Sequence, residues 1–317
     1  MRPISCQTHH SPDHATAPLR LSLPRSGEDG AVRQGAASGA CRMRVALIYF
    51  GLARSVLLTF DSIQAQVLAP NAAAGVTLRS LASLDLATEV YNPRAGEIGC
   101  VLDPAEALLL GADAYAMVRH DEATIAAALA AAQRQPDPYG NDWISVRNLL
   151  HQLASLRRAW TLLEPLLGRE FDHVLFLRPD LLYLDTIDLP ALATRFAASN
   201  SICVPPWHGW GGLNDRFAFA DMAAARHYAC RFDLVAEYCA RWPLHAEGFL
   251  AHALARGECR VGALPVRARR VRAHGAVVAE AFDAAVTPLP QRPMPFRTST
   301  AEIWQPALTG FGPQIAV

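Results

Sequence analysis

A short strand-like run, Arg44–Phe50 (RVALIYF), leads directly into Gly51 and then into a helical stretch over residues 55–68. Apolar runs of this length, rich in β-branched and aromatic residues, are typical of strands buried on both faces. We expect the helix to end at Pro70 and Asn71. Strand, glycine turn and helix in this order predict an α/β domain whose turn offers backbone amides to a phosphate.

Strands and helices continue to alternate along the chain. Apolar residues that recur every three or four positions predict a long helix over residues 143–164, with Asp142 as its N-cap. The other predicted elements are a helix at Pro104–Leu110, a strand at Ala114–Val118, a buried strand at Phe171–Leu177, a strand at 202–204, a helix from Asp221 to Trp242, a helix over 247–256 and an extended segment over 266–274. This alternation predicts a mostly parallel sheet flanked by helices.

Residues 1–42 show no helical or strand period, and we expect them to form a disordered extension. We expect residues 43–286 to form one α/β domain and residues 287–317, which hold several prolines, to form a C-terminal tail. No stretch is long and apolar enough to predict a transmembrane helix, and the N-terminus lacks the apolar core of a signal peptide. These features favour a cytoplasmic protein, with peripheral contact to the inner membrane as an open alternative.

All 29 basic residues are arginines, and they balance 29 acidic residues to a formal net charge of zero. Nucleic-acid binding needs a basic excess or stripe, so we expect no nucleic-acid partner. The lack of lysine excludes Schiff-base catalysis and leaves phosphate contacts to arginine, histidine and backbone amides. The cysteines are odd in number, widely spaced and without a CxxC pair, which indicates neither a disulfide framework nor a zinc ribbon.

Charged residues follow two of the predicted strands at their carboxyl ends. Pro179 should end the strand before it, which leaves Arg178 and Asp180 at the sheet edge, and Arg54 follows the first strand. Ligands bind at this edge of open α/β sheets, and a guanidinium can hold phosphate oxygens in a bidentate manner. These residues therefore predict an anion site. A simple ion pair between Arg178 and Asp180 is the alternative interpretation.

The loop PPWHGWGGLNDR, residues 205–216, has the composition of a sugar-binding surface. Indole faces stack on pyranose rings, and amide, carboxylate and guanidinium groups hydrogen-bond to hydroxyls. We therefore expect Trp207, Asn214 and Arg216 to contact a sugar or acceptor, and Asp215 to be a candidate general base. The alternative is that the tryptophans pack on the core.

Two later segments carry further candidates. In His245-Ala246-Glu247, Glu247 is either a general base for an acceptor hydroxyl or a carboxylate stabilised by a helix N-terminus, and both interpretations remain open. In the extended arginine-rich segment, alternation places Arg270, Arg272 and His274 on one face, where they could meet a diphosphate. A solvated basic edge strand is the alternative.

Several stretches, in their order along the chain, resemble those of a bacterial group of GT-A-like glycosyltransferases found with surface-polysaccharide genes. The resemblance covers roughly residues 43–275 and is carried by RVALIYFGLARS, YNPRAGE, HQLASLRRAW, FDHVLFLRPDLLYLDTIDLP, ICVPP, GLNDRFAFA, HAEGFL and RVRAHG. It implies the GT-A-like α/β fold of nucleotide-diphospho-sugar transferases. It also implies hexosyl transfer from a nucleoside diphosphate sugar to a glycan or lipid-linked acceptor. A catalytically inactive member of this fold that binds sugar nucleotides or glycans is the alternative.

The same resemblance implies roles for individual residues. The RPD segment stands at the position of the family's metal-binding DxD, with Arg178 where the first Asp would be. Asp180 and His274 would then hold Mn²⁺ or Mg²⁺, or the arginine would supply the positive charge without a metal. The nucleotide and diphosphate would be bound by Gly51, Arg54, Ser55, Arg178, Asp180 and Arg272. Asp215 and Glu247 would be catalytic, and the sugar or acceptor would be held by Trp207, Asn214, Arg216 and His245.

Overall fold

The computed structural model of the chain describes residues 42–165 and 170–282. The predicted N-terminal extension, apart from Arg42, and the predicted C-terminal tail at 287–317 lie outside the described residues.

Strands and helices alternate through the described ranges. The strands are β1 (Arg44–Leu52), β2 (Thr77–Leu86), β3 (Glu89–Asn92), β4 (Glu97–Val101), β5 (Ala114–Arg119), β6 (His173–Leu177), β7 (Leu181–Tyr183), β8 (Ser201–Val204), β9 (Ala218–Asp221), β10 (Arg260–Ala263) and β11 (Ala268–Arg270). The α-helices are α1 (Val56–Ile63), α2 (Ala69–Ala73), α3 (Glu122–Ala132), α4 (Ile144–Leu163), α5 (Leu189–Arg195), α6 (Met222–Ala229), α7 (Val235–Cys239) and α8 (Ala246–Arg256). A π-helical turn, Gln64–Leu68, joins α1 to α2, and 3₁₀ segments lie at Pro93–Ala95, Pro104–Leu110 and Cys230–Leu234.

Seven strands form the central sheet, in the order β10-β8-β9-β6-β1-β2-β5. Neighbouring strands are parallel except at β9, which runs antiparallel between β6 and β8. Two small antiparallel pairs, β3 with β4 and β7 with β11, lie outside this sheet. The architecture is a mostly parallel sheet flanked by helices, as the sequence predicts, and it is compatible with a GT-A-like fold.

The central strand β1 is buried on both faces, which explains its continuous apolar sequence. Val45, Leu47 and Tyr49 belong to one hydrophobic cluster, together with side chains of α1 and α5. The alternate residues of β1 belong to a second cluster, with side chains of α4, α6 and α8. These two clusters lie on opposite faces of the sheet, and a third cluster joins α3, α4 and α7.

The strand order creates a crevice beside β1. From β1 the chain moves outward to β2 and β5, then returns to the other side of β1 to form β6. Connections that leave neighbouring parallel strands in opposite directions open a crevice at their carboxyl ends, where α/β proteins bind ligands. The point where the connections change direction is called the switch point. The turn after β1, with Arg54, and the turn after β6, with Arg178, lie there.

Several predicted element boundaries were wrong. The first helical region does not stop at Pro70, because a proline in the first turn of α2 loses no helical hydrogen bond there. Asp142 is not the N-cap of α4; the carboxylate of Asp137 accepts hydrogen bonds from the backbone N–H groups of Asn141 and Trp143 instead. Asp221 caps α6 as expected, but the predicted long helix is broken by the 3₁₀ segment before α7.

Within the described residues, no helix has the length and apolar character needed to cross a lipid bilayer.

Candidate functional site

A cavity of about 620 Å³ lies at the carboxyl ends of the parallel strands. Its walls include Arg54 after β1, Asp85 at the end of β2, His120 after β5 and Arg178 after β6. A volume of this size is typical of small-molecule sites. The cavity therefore occupies the crevice that the sheet topology creates.

Arg54 and Arg178 are held in this wall by one carboxylate, that of Asp180. Arg54 donates to Oδ2 of Asp180 from Nε at 3.1 Å and from Nη2 at 2.8 Å. Arg178 donates from Nε to Oδ1 at 2.9 Å and from Nη2 to Oδ2 at 2.7 Å. Burial would raise the pKa of Asp180, but the two guanidinium groups outweigh it and hold that pKa far below its usual value.

This arrangement does not fit the metal and diphosphate roles expected for Asp180. Its side chain is only 2% exposed, and it is not among the residues that line the cavity. Both of its oxygens already accept hydrogen bonds from guanidinium groups, which leaves no open face for Mn²⁺ or Mg²⁺. His274, the other expected ligand, is exposed and likewise absent from the cavity wall. Asp180 instead positions Arg54 and Arg178, and the ion-pair interpretation of this segment is the one that the geometry favours.

The β3–β4 hairpin supplies a second buried carboxylate to this wall of the cavity. Glu97, at the start of β4, is fully buried and accepts hydrogen bonds from Nη1 of Arg54 at 3.0 and 3.2 Å. It also accepts the backbone N–H of Ala273 at 2.9 Å and lies 3.6 Å from Nη1 of Arg272. Glu97 thus fixes both the first turn and the late arginine segment beside the cavity.

A third buried carboxylate, Glu280, orders the remaining arginines. It lies 3.1 Å from Nη1 of Arg216, accepts Nε of Arg270 at 3.0 Å and lies 3.0 Å from Nδ1 of His208. Burial opposes ionisation of Glu280, but these neighbours lower its pKa to about 2. Glu280 is therefore a charged anchor for Arg216 and Arg270, which both line the cavity.

The arginines of this wall outnumber the buried carboxylates that contact them. Five arginines line the cavity here and share the three buried carboxylates; they are Arg54, Arg178, Arg216, Arg270 and Arg272. Burial, followed by the charge of Arg270, lowers the pKa of both Arg216 and Arg272 to about 10. Both remain charged at neutral pH, so an anionic ligand would be stabilised at this wall.

Two carboxyl groups from different segments also face the cavity. Asp215 lies in the loop before β9, and Glu247 lies in the first turn of α8. Burial, and then the negative charge of Asp215, raises the pKa of Glu247 to about 8. A carboxyl group with a pKa near neutrality can exchange a proton at physiological pH.

A glutamine connects these carboxyl groups to the arginine wall. Gln152 of α4 accepts Nη1 of Arg178 at 3.1 Å and donates Nε2 to Oδ2 of Asp215 at 3.0 Å. Nη2 of Arg231, almost fully buried, lies 4.0 Å from the same oxygen of Asp215. The side chain of Asp215 is therefore fixed in orientation.

His245 contacts Glu247 as a neutral imidazole. Its Nδ1 lies 3.2 Å from Oε2 of Glu247, and its ring stacks on Tyr139 with centroids 5.3 Å apart. Burial lowers the pKa of His245 to about 4, so the imidazole is neutral at pH 7. The hydroxyl of Tyr139 accepts the backbone N–H of Ala246 at 3.1 Å, which fixes the start of α8.

The predicted site residues divide into two groups. The structure brings together at the cavity wall Arg54, Arg178, Asp215, Arg216, His245, Glu247 and Arg272. It places elsewhere Gly51, Ser55, Asp180, Trp207, Asn214 and His274.

Most residues of the second group have structural contacts. Gly51 donates its N–H to Ser155, and Ser55 donates its hydroxyl to the backbone oxygens of Val271 and Arg272. Asn214 is buried and donates Nδ2 to the backbone oxygen of Trp207. These residues thus make local anchoring contacts within the fold.

The expected sugar-stacking role of Trp207 does not fit its position. The side chain is 3% exposed and donates Nε1 to the backbone oxygen of Val266 at 2.9 Å, so it packs on the core. Trp210, three residues later, is 39% exposed and lines the cavity. Trp210 is therefore the indole available for stacking on a ring of a ligand.

Sequence reasoning missed a cluster of three polar residues at the side of the cavity formed by β2, β5 and α4. Asp85, His120 and His151 all line it, and one ligand atom from each lies within 4.8 Å of the others. Recognition of β2 as a strand would have placed Asp85 at a carboxyl end, by the same rule that selected Arg54 and Arg178.

No protein-family model matches the chain, and no curated protein matches it either. Among solved structures, mouse xyloside xylosyltransferase 1 in its apo form is similar over 70% of this chain and 85% of that chain, with 11% identity and a TM-score of 0.33. A197 from STIV is similar over 76% of this chain and 94% of that chain, with 10% identity and a TM-score of 0.29. Scores this low assign neither a fold family nor an activity to the chain.

Proposed function

We propose that the cavity binds a nucleoside diphosphate sugar and that the protein transfers the sugar to a hydroxyl group of a glycan acceptor. The observation that carries the proposal is the arginine wall: five guanidinium groups share three buried carboxylates at the switch point of the sheet. A diphosphate is the kind of ligand that such a wall stabilises, because guanidinium groups bind phosphate oxygens in a bidentate manner.

The arginines also suit the chemistry of the leaving group. When the bond between sugar and diphosphate breaks, negative charge develops on the diphosphate oxygens. Fixed positive charges beside those oxygens lower the barrier, provided that they are already oriented. Asp180, Glu97 and Glu280 supply that orientation through their contacts with the arginines.

Glu247 is the proposed general base of the transfer. Its ionised form would accept the proton of the acceptor hydroxyl while that oxygen attacks the sugar carbon. A base is most effective when its pKa lies near the working pH, and the burial of Glu247 and the charge of Asp215 raise the pKa to about 8. Asp215 tunes this base, and Trp210 offers an exposed indole face for a sugar ring.

A screen of thermal stability tests the proposal. The full chain is heated with UDP-, GDP-, dTDP- and CMP-sugars, and each donor that raises the melting temperature is then assayed for hydrolysis and for transfer to glycan acceptors. A ligand that binds the native state at 100 times its dissociation constant stabilises the protein by about 2.7 kcal/mol, which is readily detected.

The outcomes separate three cases. Stabilisation by one class of nucleoside diphosphate sugar together with turnover supports the transferase, whereas stabilisation by a CMP-sugar alone, which carries a single phosphate, contradicts the diphosphate site. Stabilisation without turnover on any acceptor or water supports the inactive sugar-nucleotide-binding alternative. If no nucleoside diphosphate or its sugar raises the melting temperature at millimolar concentration, the arginine wall does not bind a diphosphate and the proposal is wrong.

A further inference from the structure

We propose that Asp85, His120 and His151 form a binding site for a divalent transition-metal ion at the side of the cavity formed by β2, β5 and α4. This site is separate from the Arg178–Asp180 segment. It does not depend on the proposed sugar transfer, because its metal affinity can be measured without donor or acceptor.

Three elements that are distant in sequence bring these side chains together. Asp85 lies at the end of β2, His120 follows β5 and His151 lies in the second turn of α4. One ligand atom from each lies within 4.8 Å of the other two, and all three residues line the cavity. Ligand positions not taken by the protein would therefore face the cavity, where a bound molecule could occupy them.

The second observation is an unpartnered nitrogen. The side chain of His151 is 7% exposed, yet its Nε2 makes no hydrogen bond in the described structure. The nearest carboxylate oxygen, Oε1 of Glu122, lies 3.5 Å away. Leaving a buried polar atom unsatisfied is unfavourable, and a metal ion bound to this nitrogen would remove that cost.

Asp85 is oriented in the way that metal-binding carboxylates are. Its Oδ1 accepts Nη2 of Arg158 at 3.0 Å, while its Oδ2 lies 3.7 Å from Nε2 of His120. A hydrogen bond from a residue that is not itself a ligand, such as Arg158, holds a carboxylate ligand in place and leaves the other oxygen free for the ion.

The donor set selects the class of ion. Two imidazole nitrogens and one carboxylate oxygen suit Zn²⁺, Co²⁺, Mn²⁺ or Fe²⁺, whereas Mg²⁺ and Ca²⁺ prefer oxygen ligands throughout. Ligands on one such ion at about 2.1 Å lie about 3.4 Å apart in tetrahedral geometry, so this group must close slightly.

His120 has the freedom to make that movement. The two imidazole rings are stacked, with centroids 4.1 Å apart and planes 10° apart. A histidine holds a metal ion close to its ring plane, so one ring must turn as the ion binds. The side chain of His120 is 34% exposed, whereas that of His151 is buried, so His120 is the ring that turns.

Cobalt binding tests the proposal directly. The full chain is stripped with EDTA, dialysed and titrated with Co²⁺ by visible absorbance and by calorimetry, followed by competition with Zn²⁺. His120→Gln and His151→Gln are compared with His227→Gln, a half-buried histidine of α6 outside the cavity. His9, His10 and His14 are present in every protein, so any metal uptake by them is common to all the titrations.

We expect one cobalt ion to bind with visible absorption bands, and the affinity to fall at least about tenfold in both cavity variants but not in His227→Gln. Equal binding by the parent and by His120→Gln overturns the proposal, as does the absence of saturable binding beyond the common background. If His151→Gln does not fold, His120→Gln at its more exposed position decides. Nucleotide binding in the presence of EDTA, measured alongside, reports on the arginine wall independently.

Discussion

Arg178 and Asp180 are joined by two parallel hydrogen bonds, from Nε to Oδ1 at 2.9 Å and from Nη2 to Oδ2 at 2.7 Å. The arginine lines the cavity and the aspartate lies behind it, so the carboxylate acts on a ligand only through the guanidinium. Arg54 shares the same carboxylate at 2.8 Å. The charge of one buried aspartate thus fixes the two arginines that follow β1 and β6.

The first prediction follows from this sharing. Asp180→Asn should lower the free energy of unfolding by about 3 kcal/mol or more, because it leaves two largely buried guanidinium groups without their common counter-charge. Urea unfolding measures the change. Asp233→Asn is the matched control; its carboxylate pairs with Arg157 on the exposed surface and should cost less than about 1 kcal/mol. Equal effects of the two substitutions would show that Asp180 does not hold the arginine wall together.

A substitution of Arg272 tests the arginine wall without disrupting the contacts of its other arginines. Its nearest carboxylate, Glu97, lies 3.6 Å away and keeps its hydrogen bonds from Arg54 when Arg272 is lost. Arg272→Met should therefore fold normally but bind nucleoside diphosphates about 10- to 100-fold more weakly, as expected for the loss of a charged hydrogen bond. Calorimetric titration with the nucleoside diphosphate that stabilises the parent measures this, with Arg260→Met on β10 as the control outside the cavity. Unchanged affinity in Arg272→Met would remove this arginine from the binding site.

The activity should rise with pH through the pKa of Glu247. Because the ionised carboxylate is the proposed base and its pKa is raised to about 8, kcat/KM should increase between pH 6 and pH 9. The negative charge of Asp215 contributes to that elevated pKa, so Asp215→Asn should move the rising limb to lower pH. Initial rates across this pH range measure both effects, with Glu247→Gln as the inactive reference. A rate that falls through pH 8 would make Glu247 a proton donor instead.

The same carboxyl group should make stability depend on pH. Glu247 has its ordinary pKa of 4.5 when unfolded and a pKa of about 8 when folded, so between these values the folded chain holds a proton that the unfolded chain releases. This group therefore contributes a loss of stability as pH rises through that window. Glu247→Gln removes the titration, and its melting temperature should exceed that of the parent by more at pH 8 than at pH 5. A difference that is constant over this range, measured by calorimetry, would mean that the pKa is not raised.

The sequence predicted the elements with strong periodicity. β1 and β6 are buried on both faces and read as continuous apolar runs, and α4 repeats its apolar residues at helical spacing. β9 was missed, because its four residues sit between β6 and β8 through pairing with distant segments, which no local pattern reveals. β2 was not recognised from the sequence either, so Asp85 was not placed at the carboxyl end of a strand.

The candidate site was predictable in position but not in detail. The rule for strand ends selects Arg54 and Arg178, and both line the cavity, because the rule depends only on topology. Composition could not tell which indole of the Trp207–Trp210 loop faces outward, since packing against the core decides it. The burial of Asp180 likewise depends on Arg54, which lies 126 positions away in the chain.

Gly212 places Glu247 through backbone contact, which leads to the last prediction. The N–H of the next residue, Leu213, donates to the backbone oxygen of Glu247 at 3.0 Å, and a Cβ at Gly212 would overlap that same carbonyl group. Gly212→Ala should therefore displace the first turn of α8 and cost about 1–3 kcal/mol in unfolding free energy. The displacement should also change the surroundings of Glu247, so the pH midpoint of kcat/KM should shift. Gly75→Ala is the control for the pH midpoint: its positive φ makes alanine strained there, so stability should fall, but its Cβ would meet no atom within 4 Å and the midpoint should not move. A loss of stability in Gly212→Ala with an unchanged pH midpoint would show that the loop can yield without moving Glu247.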